Sequence, residues 1–120
     1  MRSMLMAGLA VGAFAVPAMA QTPAPVSPTE NDLRCVAVLS AVIGNLADGE
    51  QRSQVMAGTM YFIGRVEGAA PRTDLKAELK RIVPTLNAEV MADEAKRCGA
   101  ILVEKGTQLQ AIGSELAGAK

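Results

Sequence analysis

The sequence predicts an all-α fold, a small bundle of four to five helices held by one disulfide. Apolar residues recur at three- and four-residue spacing in several stretches, which is typical of helices with one buried face. No run alternates β-branched and polar residues as a strand would. The only two cysteines, Cys35 and Cys98, both fall in helical stretches. We also expect a helix to be broken near Pro84 and the bundle not to be simply up-down.

The first twenty residues have the layout of a secretory signal peptide. Arg2 supplies a positive charge, residues 4–16 form an uncharged and mostly apolar run, and a small-x-small site ends at Ala20. An uncleaved membrane anchor is the alternative, but the run is short and the cleavage site fits processing. We therefore expect residues 1–20 to be removed on export through the Sec pathway. The mature protein would then reside in the periplasm with no membrane attachment.

The mature chain is expected to hold one domain. Residues 21–27 are Pro-rich without periodicity and predict a flexible, extended leader. Residues 28–118 predict a single helical domain, which opens with the capping box Ser27–Glu30 and a proline at the first helical position. The first helix is expected to end at Asp48–Gly49.

Two further helices are predicted in the middle of the domain. One runs from Glu50 to Glu67 and ends at a break over residues 68–72. Its expected inward stripe consists of Val55, Met56, Thr59, Met60, Phe62, Ile63 and Val66. The next starts at Thr73–Asp74 and is interrupted at Pro84, because proline removes a backbone hydrogen bond and clashes with the preceding turn.

The last helix carries two interleaved seven-residue repeats. One repeat is apolar: Ala95, Leu102, Leu109 and Leu116. The other is glycine: Gly99, Gly106 and Gly113. Each glycine lies four residues after an apolar position and therefore on nearly the same helix face. Because interior glycine costs about 1 kcal/mol relative to alanine, either another helix approaches closely or Gly106–Thr107 breaks the segment in two.

Cys35 and Cys98 are expected to form a structural disulfide. The periplasm favours oxidation of paired thiols, and two free buried thiols are the alternative. Cys98 must then lie near the early part of the first helix, because the Cα atoms of a disulfide lie within about 7 Å. The chain must therefore turn at Pro84, or the last helix must extend back far enough to place Cys98 inside it.

The composition argues against several classes of function. Loss of Arg2 leaves 11 basic against 12 acidic residues, so charge gives no reason to expect nucleic acid as a partner. The chain has no histidine, the usual general base, and we expect no enzyme activity. No metal site is expected, because two cysteines without histidine are too few ligands for zinc. No cofactor motif is present.

Residues 60–68 form the least generic segment. They hold both mature aromatics, Tyr61 and Phe62, together with Arg65 and Glu67. One interpretation is core packing that ends at a terminating glycine. The other is an interaction patch anchored by Tyr61 and Arg65, which lie four residues apart on one helix face and belong to types enriched at interfaces.

This segment, the signal peptide and the cysteine pair together carry a family resemblance. An aromatic residue followed by Gly-x-x-acidic-Gly, in a short secreted helical chain with few cysteines, resembles uncharacterised small secreted proteins of Gram-negative bacteria. It is similar, more weakly, to periplasmic acid-stress chaperones and to immunity proteins of type VI secretion. The resemblance to these last two families implies an all-helical protein that acts by binding.

We therefore expect a non-catalytic periplasmic protein that binds another protein in a chaperone-like or immunity-like role. Mutation of Tyr61 or Arg65 is then expected to lower partner affinity without changing the melting temperature. The alternative is a structural protein that forms a homodimer through the repeats of its last helix.

Overall fold

The structure, a computed structural model, describes residues 25–119 and consists of four α-helices and one short 3₁₀ turn. The helices are α1 (Pro28–Asn45), α2 (Glu50–Ala69), α3 (Leu75–Ile82) and α4 (Ala88–Gly118), and the 3₁₀ turn Val83–Thr85 joins α3 to α4. No strand occurs in this range. The all-α prediction is confirmed, whereas the signal peptide and most of the leader lie outside the described residues.

Helix α1 forms the centre of the fold. The Ser27 hydroxyl accepts a hydrogen bond from the backbone N–H of Glu30 at 3.1 Å, and Pro28 occupies the first helical position, as the capping box predicts. All three other helices contact α1, and its buried apolar residues extend around the helix: Leu33, Cys35, Val36, Ala37, Val38 and Leu39. These are six of the ten buried apolar residues in the described part of the chain, so α1 supplies most of the core.

Helix α2 packs along α1 through its C-terminal half. Gly49 caps it with φ of 152°, a backbone conformation that side chains disfavour. Phe62 and Val66 are fully buried against α1. The predicted inward stripe is wrong at Met56 and Met60, which are exposed because α2 buries only the face turned toward α1.

The predicted break at Pro84 is confirmed. The Asp74 carboxylate accepts from the Ala77 N–H at 3.0 Å and starts α3, which ends at Ile82. Pro84 lies inside the 3₁₀ turn, where its missing N–H removes no α-helical hydrogen bond. The Asn87 side chain then accepts from the Val90 N–H at 2.9 Å and caps a new helix.

Helix α4 is continuous through all three glycines of its repeat. Both expectations for this helix are therefore wrong. The chain does not break at Gly106–Thr107, and no heavy atom outside the local helix lies within 4 Å of a Cβ built at Gly99, Gly106 or Gly113. The neighbouring leucine, alanine, glutamine and glutamate residues are good helix formers and offset the glycine penalty.

The disulfide joins α1 to α4. Cys35 and Cys98 are bonded, with Cα atoms 5.6 Å apart and both residues fully buried. Because α4 begins at Ala88, Cys98 lies well inside the helix rather than at its start, as the pairing required.

None of the helices within residues 25–119 combines the length and the apolarity needed to cross a membrane.

Candidate functional site

The predicted patch residues divide between core and surface. Phe62 is inaccessible and packs in the core with Cys35 and Cys98, so its placement in an interaction patch is corrected. Tyr61 is half-buried, with its ring edge against Phe62 at a centroid distance of 5.2 Å. Glu67 is exposed, and no hydrogen bond or ion pair within residues 25–119 involves it. The structure therefore does not group Glu67 with the other three.

Tyr61 and Arg65 do lie together on one face of α2. The guanidinium of Arg65 donates from Nη1 to the Tyr61 hydroxyl at 3.2 Å, and its central carbon lies 5.6 Å from the Tyr61 ring centroid. The same guanidinium donates from Nε to Asp32 Oδ2 on α1 at 2.9 Å. Asp32 is almost wholly buried, its side chain 7% exposed, whereas that of Arg65 is 42% exposed.

These contacts raise the pKa of Arg65. The hydrogen bond to Tyr61 is the largest cause, partial burial opposes it, and the charge of Asp32 adds to it. A raised pKa in the folded state means that the stabilisation is fully present below the ordinary pKa of arginine. It is lost only as the pH rises through the folded-state value. The raised pKa therefore keeps the guanidinium charged at neutral pH, and Arg65 serves both the fold and the surface.

An open groove runs between α2 and α4 beside this pair. Its volume is about 700 Å³, and its walls are mostly apolar. The lining residues are Gln54, Ala57, Gly58 and Tyr61 from α2, and Leu102, Lys105, Gly106, Leu109 and Gln110 from α4. At its floor, Leu102 approaches Gly58 so closely that a Cβ there would meet a Leu102 methyl at 2.5 Å. Glycine at this position therefore permits the contact between the two helices.

Beyond Leu102, the apolar face of α4 has no partner among the described residues. Every residue from Gly106 to Ala119 is exposed. Leu109 and Leu116 are 68% and 69% exposed, and Ile112 is 44% exposed. Large apolar side chains grouped on one surface mark interaction sites in soluble proteins. We call this surface, Leu109, Ile112 and Leu116 with Gly106 and Gly113, the α4 stripe.

A second polar cluster covers the disulfide. Arg97 donates from Nη2 to Cys35 Sγ at 3.3 Å and to the backbone oxygen of Asn31 at 2.8 Å. The carboxylate of Glu94 accepts from Arg97 at 2.6 Å and lies 3.5 Å from Arg34. Sequence reasoning missed this cluster, although an arginine directly before each cysteine was the available signal.

The cluster offers no metal site while the disulfide is intact. The sulfur atoms of Cys35 and Cys98 and a carboxylate oxygen of Glu94 lie within 4.8 Å of one another. However, thiolates rather than disulfide sulfurs bind metals, and Glu94 is already paired with two arginines. Its arrangement indicates a structural role, in which arginine and glutamate fix α4 against α1.

Compared with known proteins, the chain matches no protein-family model, no curated protein and no solved structure.

Proposed function

We propose that this protein is a non-catalytic binding protein of the periplasm and that its partner is a protein. The observation that carries the proposal is the groove between α2 and α4, bordered on one side by Tyr61 and on the other by the α4 stripe. An apolar groove beside an unpartnered apolar face suits a helix with an apolar side. Arg65, next to Tyr61, adds a cation of the type that anchors interfaces.

The side chains of the groove support binding rather than catalysis. They offer apolar surface, two amides, one tyrosine hydroxyl and one lysine. Covalent catalysis by serine or cysteine requires a nucleophile within hydrogen-bond reach of a base, and no such pair lines this groove. The histidine-free sequence agrees with that interpretation.

The compartment is supported by the signal-peptide pattern and by the disulfide. Disulfides persist where the environment is oxidising and are rare in the cytosol. The protein purified from the periplasm of expressing cells should have the intact mass of residues 21–120, lighter than the reduced form by two thiol hydrogens. Mass spectrometry with and without reductant tests both points, and retention of residues 1–20 would contradict the proposed processing.

The binding role is tested by capture of partners from periplasmic extract, with the purified protein as bait. Leu109→Asp places a charge on the α4 stripe, whereas Ala111→Asp places the same charge on the opposite face of α4 and serves as the matched control. We expect the first variant to lose captured protein and the second to retain it. One dominant partner would indicate an immunity-like role, and many unfolded clients a chaperone-like role. Equal capture by both variants would exclude the groove.

A second candidate function, self-association as a structural protein, is favoured by one observation. Leucine and glycine each repeat every seven residues along α4, and the outer half of this helix is exposed. A seven-residue apolar repeat is typical of helices that pair with other helices.

A further inference from the structure

The α4 stripe is complementary to itself when two copies run antiparallel. Let the two-fold axis pass between Gly106 and Leu109. Position 106 of one copy then faces position 109 of the other, and every layer pairs a leucine with a glycine. The layers are Leu109 with Gly106, Leu102 with Gly113, and Leu116 with Gly99 of the second copy. Because these glycines have open space where a Cβ would stand, each can receive a leucine.

The α2–α4 groove continues this surface. The groove is lined by Leu102, Gly106 and Leu109, which are the residues that the antiparallel pairing uses. A second α4 lying along them would also contact Ala57, Gly58 and Tyr61 of α2. The part of the second α4 that faces the groove in this register, residues 105–113, would therefore enter it.

The charges around the groove do not oppose this occupant. Lys105 is the one charged residue that lines the groove. Glu115 is the one charged residue from Gly106 to Gly118, and it lies on the face of α4 away from the stripe. Two copies can therefore pair without burying like charges against each other, which would otherwise oppose association.

The symmetry of the pairing also enlarges the contact. Stable interfaces bury about 800 Å² per partner. The part of α4 from Leu102 to Leu116 that pairs in this register extends over about 21 Å at 1.5 Å per residue. In a two-fold dimer each copy both inserts its helix and receives one, so both grooves are filled and the wall of each α2 adds to the interface.

We infer that the groove between α2 and α4 binds α4 of a second copy of this chain, in an antiparallel two-fold dimer centred between Gly106 and Leu109. This inference rests on the proposed function in that the groove is the binding surface, and it names the partner. Oxidised protein from the periplasm is then a dimer at micromolar concentration, and its dissociation constant is set by the stripe.

Sedimentation velocity over about 1–100 µM tests the inference. Leu109→Asp should raise the dissociation constant by about 100-fold or more. The symmetric dimer contains this leucine twice, so the substitution removes two buried leucine side chains from the interface. Ala111→Asp, on the opposite face, should leave the constant unchanged. A wild-type protein that stays monomeric at all these concentrations would overturn the inference, as would equal weakening by both variants.

The direction of pairing has its own test. A nitroxide label on Ala117→Cys is a reporter near the end of α4. In the antiparallel dimer, positions 117 of the two copies are separated by about 28 Å along the helix axis, whereas parallel helices would bring them side by side. Pulsed electron spin resonance should therefore give a distance near 30 Å or above, and a distance below about 15 Å would overturn the antiparallel arrangement.

The outcomes separate this inference from the proposed function. A monomeric protein whose capture of another protein is abolished by Leu109→Asp and not by Ala111→Asp would refute the dimer and retain the groove as a binding surface. A monomeric protein with no such difference would refute both.

Discussion

At the scale of single residues, Arg65 is the most consequential side chain of the candidate site. It neutralises a carboxylate on α1, bonds the hydroxyl of Tyr61 and still exposes two-fifths of its side chain. A residue that both pairs a buried charge and reaches the surface is unsuited to a simple mutational test of binding. The expectation that mutation of Arg65 lowers partner affinity alone is therefore revised. We expect the mutation to lower the stability of the fold as well.

Replacing Arg65 with methionine should destabilise the fold by about 1–3 kcal/mol, since Asp32 would remain buried without its charged partner. This loss of stability is smaller than that expected on breaking a fully buried ion pair, because the side chain of Arg65 is partly solvated. Urea unfolding measures the change. Arg52→Met is the matched control, because Arg52 pairs only with exposed Asp48 and should change stability by less than about 0.5 kcal/mol. If the double variant Asp32→Asn, Arg65→Met is no more stable than the single one, the buried charge is not the cause.

Two neighbouring apolar residues of α2, one buried and one exposed, should respond differently to mutation. Phe62→Ala removes a fully buried ring and should cost about 3–5 kcal/mol. Met60→Ala, two residues away and 63% exposed, should change stability by no more than about 0.5 kcal/mol. Thermal unfolding compares the two variants, and similar losses would contradict the inward orientation of Phe62.

At the scale of secondary-structure elements, α4 consists of two differently supported halves. Its first half contacts α1 through the disulfide, the Arg97–Glu94 cluster and the partly buried Ile101 and Leu102. Its second half makes hydrogen bonds only within α4 among the described residues, and residues 106–119 are exposed. Local opening should therefore be easier after Leu102 than before it.

The glycines in the second half of α4 should lower the stability of this helix. Gly106→Ala and Gly113→Ala meet open space and should each stabilise the monomeric helix by about 0.5–1 kcal/mol. Hydrogen exchange over residues 103–118 measures the gain at a concentration too low for dimers. Gly58→Ala should gain less, because the added methyl meets Leu102. Faster exchange in the two α4 variants would contradict the helical path through the glycines.

At the scale of the whole molecule, the disulfide holds α4 on the rest of the fold. Cys98 is the one fully buried residue of this helix, so little apolar burial would hold α4 in place without the bond. The bridge spans a sequence separation of 63 residues, which corresponds to about 4 kcal/mol in the chain-entropy account.

The double variant Cys35→Ala, Cys98→Ala should therefore unfold at lower temperature, with a stability loss of about 4 kcal/mol. Hydrogen exchange should also show α4 losing protection before the α1–α2 contact does. Thermal unfolding and exchange together test this order. Simultaneous loss of protection in all helices would contradict an α4 held chiefly by the disulfide.

The helices could be predicted from sequence because their signals are local. The disulfide could be predicted because the chain has two cysteines and a secretory pattern at its start. Ser27, Pro84 and the apolar spacing each act within a few residues of themselves. The surfaces could not be predicted in the same way. Whether Met60 faces inward or Gly106 meets another helix depends on how many neighbours an element has, and periodicity does not give that number. The groove follows from the placement of Gly58 opposite Leu102, which are far apart along the chain.

The burial boundary at Leu102 separates two kinds of evolutionary freedom. Substitutions before this point alter the packing that keeps the protein folded and are subject to selection for stability. Substitutions after it are expected to leave the folded body intact and to change only the surface that we propose for binding. If the proposed binding role holds, new specificity can arise after Leu102 at little cost to folding, because residues 106–119 are exposed.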